Sequence, residues 1–134
     1  MSGSDEEAVR LIAAEVPDLA AVYRFGSTST GQEGPESDVD FAILAGKRLE
    51  PTVRIDLQES LASALGRSVD LVDLRAASTV MAMQAIGRGR LLYEGDTAER
   101  GRFEDLTYSL YARLNEERRG VLDRVAREGS VYGR

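Results

Sequence analysis

The sequence predicts an α+β chain, a mixed sheet of about four or five strands packed with helices and followed by a long C-terminal helix. Short apolar runs recur at 19–25, 39–45 and 69–74, and segments with apolar residues every three or four positions lie between and after them. Glycine and proline sit at the joins, where the period changes from strand to helix.

Ser4-Asp5-Glu6-Glu7 has the form of a capping box, and Ala8, Leu11, Ile12 and Val16 follow at helical spacing until Pro17 ends the first helix. Leu19 to Phe25 predicts the first strand. Residues 28–37, with Gly31, Gly34 and Pro35 among polar neighbours, predict an irregular connection. Val39 to Ala45 is the second strand. From Glu50 to Leu65, Val53, Leu57, Leu61 and Leu65 recur every four residues, and Gly66 supplies a left-handed stop. Val69 to Leu74 is the third strand. A helix over Ala77 to Ile86, opened by Ser78 or Thr79 and closed by Gly87, leads to a short strand at Arg90 to Tyr93. From Asp96 onward Phe103, Leu106, Leu110, Leu114, Val121 and Val125 make a nearly continuous helical stripe, with Gly120 a weak point of about 1 kcal/mol against alanine. Tyr108 and Tyr111 belong with that stripe, as core or interface, and Met81 and Met83 are packing residues.

The chain's 134 residues suffice for one core and one domain. No run of 18 apolar residues and no signal-peptide pattern is present, so the expectation is a cytoplasmic protein with no membrane span. Cysteine and histidine are both absent. That removes disulfides, thiolate nucleophiles, the commonest general base and the usual zinc ligands. Any metal must be held by oxygen, which selects Mg²⁺ or Mn²⁺. Residues 1–99 carry 17 acids against 9 bases, and residues 100–134 carry 6 against 8. So acidic a body repels a phosphate backbone, which makes nucleic acid an unlikely partner and a protein acceptor the better fit.

The chemistry concentrates at strand ends. Gly26-Ser27 follows Tyr23-Arg24-Phe25, where a glycine lets backbone N–H groups come close to phosphate oxygens and Ser27 adds a hydroxyl donor. Ten residues then intervene before Asp38-Val39-Asp40. Strand alternation puts Asp38 and Asp40 on one face, about 7 Å apart along the chain. In Val69-Asp70-Leu71-Val72-Asp73, an unpaired carboxylate within the strand would cost several kcal/mol, so it calls for a metal, a partner cation or an open strand end. Asp70 and Asp73 are three apart and face opposite sides. Asp70, inside the β-branched run, is the one expected to join the first pair, whereas Asp73 leads into the turn at Arg75. The plainer alternatives are a tight turn with a helix cap at Gly26-Ser27, and for Asp70 a strand-end acid paired to Arg24 or Arg90.

Taken together, Gly26-Ser27, Asp38-x-Asp40 at that interval and Asp70 on a later strand resemble the polymerase-β-type nucleotidyltransferase superfamily. Within that superfamily, the short length resembles the minimal nucleotidyltransferases, in particular the antitoxins of HEPN/minimal nucleotidyltransferase toxin–antitoxin pairs. The resemblance implies one nucleotidyltransferase domain over residues 1–134, with a catalytic core at about 19–93 and a helical tail at about 96–128. It further implies a two-metal transfer of NMP, from ATP or another NTP, with Mg²⁺ held by Asp38, Asp40 and Asp70 and the triphosphate by Gly26 and Ser27. The implied acceptor is a tyrosine of a cognate HEPN toxin, and the implied role that of an enzymatic antitoxin. The residues leave three other readings open: a small-molecule nucleotidyltransferase of the aminoglycoside type, a non-catalytic partner-binding module, and a nucleotide sensor. Lys47, Arg48, Arg88 and Arg90 are candidates to reach the triphosphate. The arginines of the tail, Arg113, Arg118, Arg119, Arg124 and Arg127, read first as a solvated helix face and second as a docking surface for a partner.

Overall fold

The computed structural model describes residues 3–26 and 38–127, in the order α1 (Gly3–Glu15), β1 (Leu19–Phe25), β2 (Val39–Ala45), α2 (Pro51–Leu65), β3 (Val69–Asp73), α3 (Thr79–Arg88), β4 (Arg90–Glu94) and α4 (Thr97–Arg127). Four strands form one mixed sheet in the order β3-β2-β1-β4. β1 runs antiparallel to both neighbours, and β2 pairs with β3 in parallel across the α2 crossover. Ser27 and the expected connection at 28–37 lie outside the described residues.

β1 and β2 are apolar on both faces because both faces are covered. On one side Ala8 and Ile12 of α1, Val16 just after it, and Leu57 and Leu61 of α2 pack against Val22, Phe41, Ile43 and Leu71. On the other, Ala82, Ala85 and Ile86 of α3, with Phe103 of α4, pack against Tyr23, Phe25, Ala42 and Leu44. Strand alternation therefore sorts the side chains of the sheet between an α1/α2 face and an α3/α4 face, save at the register shift in β1, where Ala20 and Ala21 both pack on the α3/α4 side.

The bounds of β1 and β2 coincide with those read from the sequence, and α2 ends as expected on Gly66, whose φ of 66° is left-handed. α3 differs. Ser78 is its cap, accepting from the Met81 N–H at 3.1 Å, but the helix continues through Gly87 and stops at Gly89. The stop comes at Gly89 because its backbone turns extended (ψ 174°) once its N–H has closed the last helical bond to the Ala85 carbonyl at 3.0 Å, and a Cβ there would collide with that same carbonyl.

α4 departs further from expectation. Its stripe, read from the sequence as core or interface, is largely exposed: Leu106 is 57% exposed and Val121 49%, while Thr107 is the buried residue, its hydroxyl donating to the Phe103 carbonyl at 2.8 Å. The stripe has no sheet beneath most of it, since α4 meets only α3 and β1 appreciably. What fastens it is polar. Tyr23 Oη donates to Glu104 Oε2 at 2.6 Å, Arg100 pairs with both Glu104 and Glu94, and Arg75 pairs with Glu99 beneath the Phe103 ring.

Candidate active site

β1 delivers Gly26, β2 delivers Asp40 and β3 delivers Asp70 to the same end of the sheet. Phe25 is opposite Asp40, and Asp40 is opposite Asp70, in consecutive strand registers. Because Asp40 shares the parity of Ala42 and Leu44, and Asp70 that of Val72 and Leu74, both carboxylates face α3. A cavity of about 420 Å³ results, lined by Phe25, Gly26, Asp40, Asp70, Met81, Gln84 and Arg88.

Gly26 has a φ of 82° and passes so close to Asp40 that a Cβ would overlap Asp40 Oδ2. Glycine is required there twice, for the left-handed backbone and for the approach. Asp40 is half-buried, and its carboxyl is held above the ordinary carboxylate range, first by burial and then by the charges of Asp70 and Asp38. Asp38 is exposed just ahead of β2, near enough to act on Asp40 but outside the cavity lining. Among the described residues no three acidic side chains are gathered into a ready cage for a metal ion. The arrangement nonetheless suits a hard cation in two respects: its donors are all oxygen, and the repulsion that raises Asp40 is what a cation would relieve.

Asp73 points to the α2 face, where it is buried and accepts from the Leu49 N–H at 2.7 Å and the Arg75 N–H at 3.0 Å. The two arginines that could have neutralised Asp70 are both engaged by another acid. Arg24 Nη1 meets Asp5 Oδ1 at 2.8 Å, and Arg90 Nη2 meets Asp5 Oδ2 at 2.9 Å, with Asp5 fully buried. Lys47 and Arg48 line a different cavity with Glu15 and Val53, near the start of β1. Of the four cations considered from the sequence, Arg88 is the one beside the carboxylates. Gln84 and Met81, one and two helical turns before it, share that face of α3 and were not singled out as site residues. Their spacing of three and four is the signal that could have found them.

A family model described as polymerase beta, nucleotidyltransferase, matches residues 7–98. Over 122 residues the chain is 38% identical to the protein adenylyltransferase MntA of Shewanella oneidensis, spanning 91% of this chain and 87% of that protein. Its fold is similar, with a TM-score of 0.81 and 38% identity, to a chain of a crystal structure of a toxin–antitoxin with AMP-PNP, covering 91% of this chain and 98% of that one. A TM-score of 0.75 at 36% identity relates it to a chain of a complex described as tri-AMPylated Shewanella oneidensis HEPN toxin with MNT antitoxin, covering 92% of this chain and 96% of that one.

Proposed function

The chain belongs to the polymerase-β nucleotidyltransferase family, and we propose that it transfers AMP from ATP to a tyrosine hydroxyl of a cognate HEPN-type toxin in the cytoplasm, acting as an antitoxin. The observation that carries this reading is the convergence of Gly26, Asp40, Asp70 and Arg88 on one cavity, in a chain alike over nine-tenths of its length to a protein adenylyltransferase. The acidic balance of residues 1–99 favours a protein as the acceptor over nucleic acid.

Asp38, Asp40 and Asp70 are the residues that would hold Mg²⁺, which when bound offsets triphosphate charge and lowers the pKa of the attacking hydroxyl. Gly26 keeps the backbone bare where the triphosphate lies, and Ser27 adds its hydroxyl. Arg88 supplies a positive charge from the α3 side. The acceptor oxygen attacks the α-phosphorus, a new P–O bond forms as the bond to the β-phosphate bridge breaks, and pyrophosphate leaves. Asp70, exposed at the open end of its strand, takes the acceptor proton. Phe25 and Met81 give the cavity an apolar wall on which the nucleoside side of the substrate can rest.

Intact mass of the cognate toxin after incubation with the chain, ATP and Mg²⁺ tests the reading. The toxin should gain one or more AMP units, and Asp40→Asn should abolish the gain. Transfer to an aminoglycoside and to no protein would overturn the acceptor while leaving the nucleotidyltransferase in place.

A further inference from the structure

We infer that the groove between α3 and α4 receives the stretch of the toxin that carries the acceptor hydroxyl; this rests on the transfer proposed above and names where its protein substrate docks. The groove has a volume of about 340 Å³ and is lined by Val80, Met83, Gln84, Gly87, Arg88 and Tyr111. Gln84 and Arg88 also line the carboxylate cavity, so the two spaces share a wall. Transfer requires the acceptor oxygen within bonding approach of the α-phosphate, and its surroundings must therefore be bound next to the nucleotide. Two other cavities gather around Pro17 and Asp18, at the far end of the seven-residue β1, roughly 20 Å away. They are too distant to present a hydroxyl to Asp40 and Asp70.

The lining suits a peptide. Among the described residues it has no acidic side chain, and it combines an exposed valine, a flexible methionine and a tyrosine, the kinds of side chain that adapt to another protein's surface. Gly87 adds an independent indication. It lies inside α3 with an ordinary negative φ, and a Cβ there would meet only the terminal methyl of Met83, at 3.2 Å. Neither the backbone nor the packing calls for glycine, which is the worst interior helix former after proline. Its effect is on the groove: it keeps the floor low, so that a second backbone can approach.

The test is Gly87→Leu, with Gly87→Ala as a graded control, assayed on the full chain with its co-purified cognate HEPN toxin. Leucine fills the groove and favours the helix, so the melting temperature should hold or rise. KM for the toxin should increase at least tenfold in Gly87→Leu and less in Gly87→Ala, with kcat at saturating toxin within about threefold and Mg-ATP affinity within about twofold. An unchanged KM for the toxin overturns the inference. So does a loss of ATP affinity with KM for the toxin unaltered, which would assign the groove to the nucleobase. A wild-type chain that modifies no protein overturns both this inference and the reading it rests on, whereas wild-type transfer with an unaffected Gly87→Leu overturns this one alone.

Discussion

Gly26 and Asp40 are in contact across the β1–β2 pair, the glycine's open Cα lying where a side chain would overlap the Asp40 carboxylate. The turn proposed to present the triphosphate and the acid proposed to hold the metal are thus fitted to one another. Gly26→Ala should cost about 1–2 kcal/mol through its left-handed backbone alone. It should also push Asp40 out of place and lower transfer about a hundredfold, as a displacement near 1 Å can do. Thermal unfolding and single-turnover transfer measure the two effects separately. An alanine variant with full activity would show that the contact has no part in the chemistry.

Asp40→Asn removes a charge that the metal-free fold holds at a disadvantage. Since the folded pKa is raised, protonated Asp40 favours the fold; that contribution is full below the ordinary carboxylate pKa and is lost as pH climbs through the raised value. At pH 7 in EDTA the asparagine variant should therefore melt above wild type. The gap should close as the pH is lowered toward the ordinary carboxylate value. Millimolar Mg²⁺ should raise the wild-type melting temperature and leave the variant unmoved, and transfer by the variant should fall more than tenfold, over 1.4 kcal/mol of barrier.

Arg88 lies exposed at the mouth of the cavity, away from the packed core. Arg88→Ala should leave the melting temperature of the free protein within a degree or two and raise KM for ATP about tenfold, equivalent to one charge-assisted contact of about 1.4 kcal/mol. For wild type, Mg-ATP at a hundred times its dissociation constant should stabilise the fold by about 2.7 kcal/mol. ATP in EDTA should stabilise it far less. Equal shifts with and without the metal would count against the carboxylate site.

Tyr23→Phe tests how α4 is held. The Tyr23 hydroxyl is buried against Glu104 and its pKa is driven up, first by burial and then by that carboxylate, so it stays a donor through the neutral range. Its loss leaves Glu104 short of one partner at a cost of about 1–2 kcal/mol, visible as a lowered melting temperature. The rate of transfer well below that temperature should be unchanged, because Tyr23 lines neither the carboxylate cavity nor the groove beside it.

The strands were legible because apolar runs bounded by turn residues have few other readings, and the facing of Asp40 and Asp70 toward one side follows from alternation once the strands are set. The burial of Asp5 was not legible. Its place in a capping-box pattern gave no hint that it would be buried between Arg24 and Arg90, since ion pairs between distant segments leave no periodic trace. Arg88 stood equal with three other cations until α3 was placed against the sheet. The end of α3 was ambiguous because Gly87 and Gly89 are equal stop signals in sequence, and only the crowding at Ala85 distinguishes them. Along α4, helical spacing fixed the helix but not its burial, for an apolar stripe looks the same whether its own sheet or another molecule covers it.

The sheet order β3-β2-β1-β4 places the final strand beside the first, and Asp5 locks the two by grasping Arg24 and Arg90 together. During synthesis, then, β1 has a bare edge and Asp5 lacks the Arg90 guanidinium until β4 leaves the ribosome, although Gly26, Asp40 and Asp70 are all in the chain well before that. A fragment that stops short of β4 carries every acidic residue of the site on a scaffold with an open, aggregation-prone edge. Completion of the sheet, and not of the acidic motif, is the step that covers this edge.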